Sequence, residues 1–213
     1  MTLEEAPFSV VFAEALRGTP CSVVGLGQAP RQVPVGVWSG AADAADSELV
    51  SHCFGATIDL GCGPGRLTEL LARRGHVVLG VDIVAEAVAQ TRSRGVSALV
   101  RDVFERVPGE GRWETALLAD GNVGIGGDPL ALLRRARDLL APEGRIVVEV
   151  AAPGLGVSSS WASLACGDRR SRPFRWAVVG VDAVRALALD AGVPVRTLHR
   201  YADRWWAVLG RPS

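Results

Sequence analysis

Ile58-Asp59-Leu60-Gly61-Cys62-Gly63-Pro64-Gly65 is the stretch on which the fold turns: a short strand passes through three alternate glycines into a helical run that opens at Arg66. Without Cβ atoms the chain can bend sharply there and a ligand can lie directly against the backbone. Taken alone, the stretch is a nucleotide-type loop. Dinucleotide binding needs Gly-x-Gly-x-x-Gly, with exposed amides at the helix start to hold a pyrophosphate. Here Gly65 arrives one position early, Arg66 stands in the required place, and Pro64 has no amide hydrogen to offer. Asp59, within the strand end, would repel a pyrophosphate and attract a cation.

The next units extend the pattern. Val78-Leu79-Gly80-Val81-Asp82-Ile83 is a second strand ending in a carboxylate, about twenty residues beyond the glycine turn and suited to accepting two ribose hydroxyls. Dinucleotide enzymes share that device, so it does not discriminate. Arg101-Asp102-Val103, after a third strand, offers a carboxylate to an adenine amino group and an amide to its ring, with Ile83 against the ring face.

Around this core, short apolar runs at 57–60, 77–81, 98–100, 115–119 and 145–150 alternate with helical stretches at 66–74, 84–94 and 129–140, the signature of βα units on a parallel sheet. Asp128-Pro129 is a helix start, a capping side chain followed by proline. Residues 1–55 read as an N-terminal helical cap: a helix near 8–17, a Gly- and Pro-rich loop, and a second helix over 41–53 for which Asp43 or Asp46 is the candidate cap. Residues 56–213 read as the core, interrupted by an irregular Gly-, Ser- and Arg-rich insertion at about 152–180 that predicts a lid or mobile loop. A helix at 182–191 and a hairpin of 193–199 with 204–209 close the chain.

In combination, Ile58 to Gly65, Asp82, Asp102, Leu117-Leu118-Ala119-Asp120 and Leu140-Ala141-Pro142-Glu143-Gly144-Arg145-Ile146-Val147-Val148 resemble the class I S-adenosylmethionine-dependent methyltransferase superfamily, over about residues 56–150. The resemblance implies an α/β fold, a doubly wound, mostly parallel seven-stranded sheet whose last strand runs antiparallel between its neighbours. It implies S-adenosylmethionine as cofactor and S-adenosylhomocysteine as product. Gly61, Cys62, Gly63 and Gly65 would lie beneath the methionine part and Asp59 would face its ammonium. Asp82 would hold the ribose, while Ile83, Asp102 and Val103 would receive the adenine.

The loop Asp120-Gly121-Asn122-Val123-Gly124-Ile125-Gly126-Gly127-Asp128 lacks the Asn-Pro-Pro-Tyr type of motif found in many amino-group methyltransferases. Ligands of open α/β sheets lie beyond the carboxyl ends of the strands, so Asp120 and Asn122 should border the transferred methyl. Asp120 is also counted toward the cofactor, and an ordinary turn role is the competing reading. If a proton must leave the acceptor, the candidate bases are Asp120, His199 and His52; His76, just before a strand, reads as structural. Trp38, Asn122, Trp161 and Arg175 are the candidate substrate contacts. No metal ligand set is read.

The 213 residues carry 23 basic and 23 acidic side chains, a net of +0, so no overall field recruits a polyanion or an anionic membrane. Every basic residue is arginine, which excludes lysine Schiff bases and a Walker-type lysine. Glu4 and Glu5 precede any long apolar run, and none reaches the roughly 20 residues that cross a bilayer; the expectation is a cytoplasmic protein. Cys21, Cys53, Cys62 and Cys166 are scattered and read as reduced and structural. The expected function is methylation of a small molecule. RNA or protein methylation through Arg169, Arg170, Arg172 and Arg175 is the alternative within that chemistry. A nicotinamide-dependent oxidoreductase or a non-catalytic S-adenosylmethionine-binding protein stands outside it.

Overall fold

The computed structural model describes residues 4–27 and 29–210, so the first three residues of the acidic N-terminal stretch lie outside it. The chain opens with β1 (Glu4–Ala6), α1 (Phe8–Leu16), β2 (Cys21–Val24), β3 (Arg31–Gln32), α2 (Val35–Ser39) and α3 (Ala44–Ser51). Helix α3 is closed by a reciprocal cap: Asp43 Oδ1 accepts the Asp46 amide at 2.7 Å and Asp46 Oδ2 accepts the Asp43 amide at 3.0 Å. The sequence predicts a loop between the two N-terminal helices, and the structure corrects it with β2, β3 and α2.

The core follows as β4 (Thr57–Leu60), α4 (Arg66–Arg73), β5 (Val78–Asp82), α5 (Ala85–Ser93), β6 (Ala98–Val100), β7 (Trp113–Leu118), a 3-10 turn (Asn122–Gly124), α6 (Pro129–Leu139) and β8 (Leu140–Val150). Asp128 caps α6 by accepting the Ala131 amide at 3.0 Å, with Pro129 as its first residue. After β8 come β9 (Val157–Cys166), β10 (Arg169–Ser171), β11 (Phe174–Val179), α7 (Val184–Asp190), β12 (Val195–Tyr201) and β13 (Arg204–Gly210).

The main sheet has seven strands in the order β12-β13-β8-β7-β4-β5-β6, and β13 runs antiparallel to both neighbours. The remaining pairs are parallel. Alternate residues of β7 and β8 feed two cores: Ala116, Leu118, Ile146 and Val148 pack on α6 and α7, while Leu117 and Val147 pack with α3 and α4. A sheet apolar on both faces must be covered on both, which is why these strands read as continuous apolar runs. The order places β4 between β5 and β7, all parallel, so the loops after Leu60, Asp82 and Leu118 converge at the carboxyl ends of the strands.

The insertion forms regular structure. Strands β9, β10 and β11 are antiparallel, and β9 also pairs with β2 while β1 adds to β10. The N-terminal segment and the insertion thereby build one second sheet over the convergent loops, with Ala6, Val11, Ala15, Cys21, Leu164 and Cys166 at its core. Cys21 and Cys166 face each other across β2 and β9 and are joined by a disulfide. This corrects the expectation of four reduced cysteines; Cys53 and Cys62 are free and buried. Among the described residues no helix is long and apolar enough to cross a membrane.

Candidate active site

Where the three loops converge under the second sheet there is a cavity of about 770 Å³. Its floor is the glycine turn. Gly61, Gly63 and Gly65 all have positive φ (+77°, +54° and +88°). A Cβ at Gly61 would lie 2.7 Å from Asn122 Nδ2 and one at Gly65 would lie 2.6 Å from Thr91 Oγ1, whereas one at Gly63 would meet nothing within 4 Å. The backbone therefore approaches a second loop at Gly61, packs on α5 at Gly65, and is open at Gly63. Cys62 also lines the floor, but its thiol turns toward Thr91, with Sγ 3.9 Å from Oγ1.

Three carboxylates stand at the strand ends. Asp59 alternates with the inward Ile58 and Leu60, which turns its side chain toward α4, where it accepts the Thr68 hydroxyl at 2.7 Å. Only 2% of Asp59 is exposed, and burial pushes its carboxyl up to about 7. Asp82 accepts the amides of Gly63 at 2.9 Å and Val84 at 2.8 Å; burial raises its pKa and these amides pull it back. Asp102 accepts the Phe104 amide at 2.9 Å. All three line the cavity, as do Val103 and Ile83, whose side chain is about half exposed (52%) at the rim.

Asp120, two residues beyond the end of β7, lies in the left-handed region at φ 53°, a conformation aspartate tolerates better than most residues. Its amide donates to Glu149 at 2.8 Å and its carboxylate receives Arg66 Nη2, which lies 3.1 Å from both oxygens. Arg66 is itself buried and also pairs with Asp46 at 2.8 Å. Arg204 completes the network, forking onto both Glu149 oxygens at 2.8 Å and reaching Asp46 at 2.7 Å. Burial raises the Asp120 pKa to about 6; Arg66 opposes that shift and Glu149 adds to it. Asn122 donates its side-chain amide to the Leu60 and Gly61 carbonyls at 3.0 and 2.8 Å, which locks the two loops together.

The histidines lie elsewhere. His199 on β12 packs against the tilted ring of His52, centroids 3.9 Å apart, and stacks on Trp206, outside the cavity. Neither histidine lines the cavity: His199 lies on the edge strand β12, and His52 ends α3 against it. His76 contacts Thr57 Oγ1 and the Gly55 carbonyl. Trp161 is 62% exposed and outside the cavity, facing solvent on β9. Arg175 lines the rim, with its guanidinium held by the Ser159 hydroxyl at 2.9 Å and lying 5.5 Å from the Trp161 ring. Trp38 does line the cavity.

The sequence reading missed the upper wall, made of Phe8, Phe12, Phe174 and Trp176, and the ion pairs of Arg66. Phe8 and Phe12 are four apart on α1, and Phe174 and Trp176 alternate on β11, so each pair shares a face. That spacing was the available signal.

A methyltransferase-domain family model matches residues 58–144. Trans-aconitate 2-methyltransferase of Mycobacterium tuberculosis (strain ATCC 25177 / H37Ra) is 36% identical over 152 residues, 65% of this chain and 56% of that protein. The chain therefore spans just over half the length of that relative. Among solved structures, a SAM-dependent methyltransferase from Bacteroides fragilis in complex with S-adenosyl-L-homocysteine superposes with a TM-score of 0.81 at 19% identity, covering 100% of both chains. A second, the 1,6-didemethyltoxoflavin-N1-methyltransferase of Burkholderia thailandensis, gives 0.58 at 20% identity over 79% and 77%. The fold is the one these solved methyltransferases share, and residues 58–144 are similar to the methyltransferase-domain family.

The lining of the site fits S-adenosylmethionine, the ligand to which the resemblance points. Three carboxylates and an open glycine floor suit a ligand with an ammonium, a sulfonium and a ribose. They oppose a pyrophosphate, which would meet Asp59 and Asp82 with the Arg66 guanidinium already committed to Asp46 and Asp120. Asp59 and Gly63 would hold the methionine end, Asp82 the ribose and Asp102 with Val103 the adenine.

Proposed function

We propose that the chain is an S-adenosylmethionine-dependent methyltransferase of a small-molecule acceptor, with the second sheet as the cover of the acceptor pocket. The observation that carries this reading is one continuous cavity running from the Asp59–Gly63 floor to the underside of β11. A cavity of that size, closed from above by strands, suits a compact ligand and not a polymer.

S-adenosylmethionine, when bound, supplies an electrophilic methyl group. The chain contributes alignment, water exclusion and a proton acceptor. Asp120, two residues beyond β7 and lining the same cavity as the glycine floor, would accept a proton from the acceptor atom. Arg66 holds it there through two contacts of 3.1 Å. Asn122 spends its amide hydrogens on the floor and keeps its side-chain oxygen for the acceptor. The Arg-rich insertion gives little support to a polyanion: Arg169 is paired with Glu14 and Arg175 with Ser159. The test is methyl transfer from isotopically labelled S-adenosylmethionine to fractionated cell extract. Label should enter the small-molecule fraction; label confined to RNA or protein would contradict the reading.

A further inference from the structure

The upper half of the cavity has a chemistry of its own. Five rings from three elements form an unbroken wall: Trp38 on α2, Phe12 and Phe8 on α1, then Phe174 and Trp176 on β11. Successive centroids lie 6.0, 5.4, 4.7 and 6.3 Å apart. Every one of these rings is only half-buried although it lines the cavity, so a large apolar surface faces the ligand space. The wall is rigidly placed: Ile125, in the loop after β7, forms an isolated bridge with Trp176, and a Cβ at Gly124 would lie 2.6 Å from Trp176 Nε1.

The charges of the lining give the complementary half of the argument. Its cations are Arg31, Arg66, Arg101 and Arg175. Arg66 is consumed by Asp46 and Asp120, Arg101 lies 3.4 Å from Glu105, and Arg175 is turned to Ser159. Arg31 sits exposed on the two-residue edge strand β3. A di- or tricarboxylate would have to leave water for a wall of rings beside Asp59 and Asp120, where every cation among the described lining residues is either paired, as Arg66 is, or exposed at the rim, and burying charge unpaired is costly.

We infer that the acceptor is an uncharged, planar aromatic or heteroaromatic compound that stacks on this five-ring wall, and not a polycarboxylate. The inference rests on the cofactor reading above and names the class of its acceptor. Flat rings gain from offset and edge contacts with aromatic side chains beyond the area they bury. The wall thus selects shape, while Asp120 and Asn122 meet the one polar atom.

The test is isothermal titration of the full chain, with and without saturating S-adenosylhomocysteine, using 2-naphthol, 6-hydroxyquinoline, trans-aconitate and citrate as probes. The two aromatic probes should bind saturably, and Trp176→Leu and Phe174→Leu should each weaken them at least fivefold while S-adenosylhomocysteine affinity, measured on the same samples, confirms that the variants fold. The carboxylates should give no binding. Binding of trans-aconitate or citrate, binding of none of the four, or aromatic binding indifferent to both substitutions overturns the inference. Failure of S-adenosylhomocysteine to bind the unaltered chain would strike the cofactor reading instead, and the probe titrations made without it still report on the wall.

Discussion

Burial holds the Asp59 carboxyl near 7; the Thr68 hydroxyl opposes that shift and the Asp120 charge adds to it. An ammonium ligand demands the ionised form, so below about pH 7 binding must first expel a proton. S-adenosylhomocysteine affinity should therefore fall as pH drops from 8 to 6, by up to about tenfold per unit once below the pKa. Asp59→Asn should bind weakly and show a flat profile in the same titration; a profile unchanged by the substitution would contradict the role. Asp120 carries the complementary expectation. A proton acceptor works deprotonated, so turnover should rise with pH through about 6, and Asp120→Ala should lower kcat by roughly 10²–10⁴ with cofactor affinity nearly unchanged. Both follow from carboxylates placed at strand ends by the alternation of β4 and by the left-handed turn at Asp120.

The glycine turn works as an element because each glycine answers a different constraint. Gly61 combines a φ of +77° with a 2.7 Å approach to Asn122, so Gly61→Ala should cost about 1–3 kcal/mol in urea unfolding and should loosen the loop that carries Asp120. This element was legible in the sequence, since its glycine spacing, Pro64 and Asp59 together weighed against a dinucleotide loop. The β5 carboxylate, the capped start of α6 and the terminal hairpin were equally legible, because each is specified by neighbours in the chain. Strands β2 and β9 were not. The run Cys21–Val24 acquires its strand form from Ser163–Cys166, far along the chain, and a Gly- and Ser-rich segment gives no local warning of such a partner. His199 was misplaced for a related reason: the sequence put it on the final hairpin, but not on the side of β12 that faces His52.

At the scale of the whole molecule, the N-terminal segment and the insertion cover the site only because they pair with each other. The disulfide between Cys21 and Cys166 ties them across a separation of 145 residues. Closing so long a loop restricts the unfolded chain, a contribution of up to about 5 kcal/mol in the chain-entropy model. Reduction, or the Cys21→Ser and Cys166→Ser pair, should lower Tm; an unchanged Tm would mean that β2 and β9 hold without it. The cover also explains why the aromatic wall escaped the sequence reading: its rings come from α1, α2 and β11, and only the second sheet brings them together.

The central claim is that the crevice at the ends of β4, β5 and β7 receives a phosphate-free sulfonium nucleoside. Calorimetric titration of the chain with S-adenosylhomocysteine and, separately, with NADH tests it most directly. Saturable one-to-one binding of S-adenosylhomocysteine, abolished by Asp82→Ala, with no heat from NADH, is the result the geometry predicts. Saturable NADH binding at that crevice, or no binding of S-adenosylhomocysteine, would contradict it.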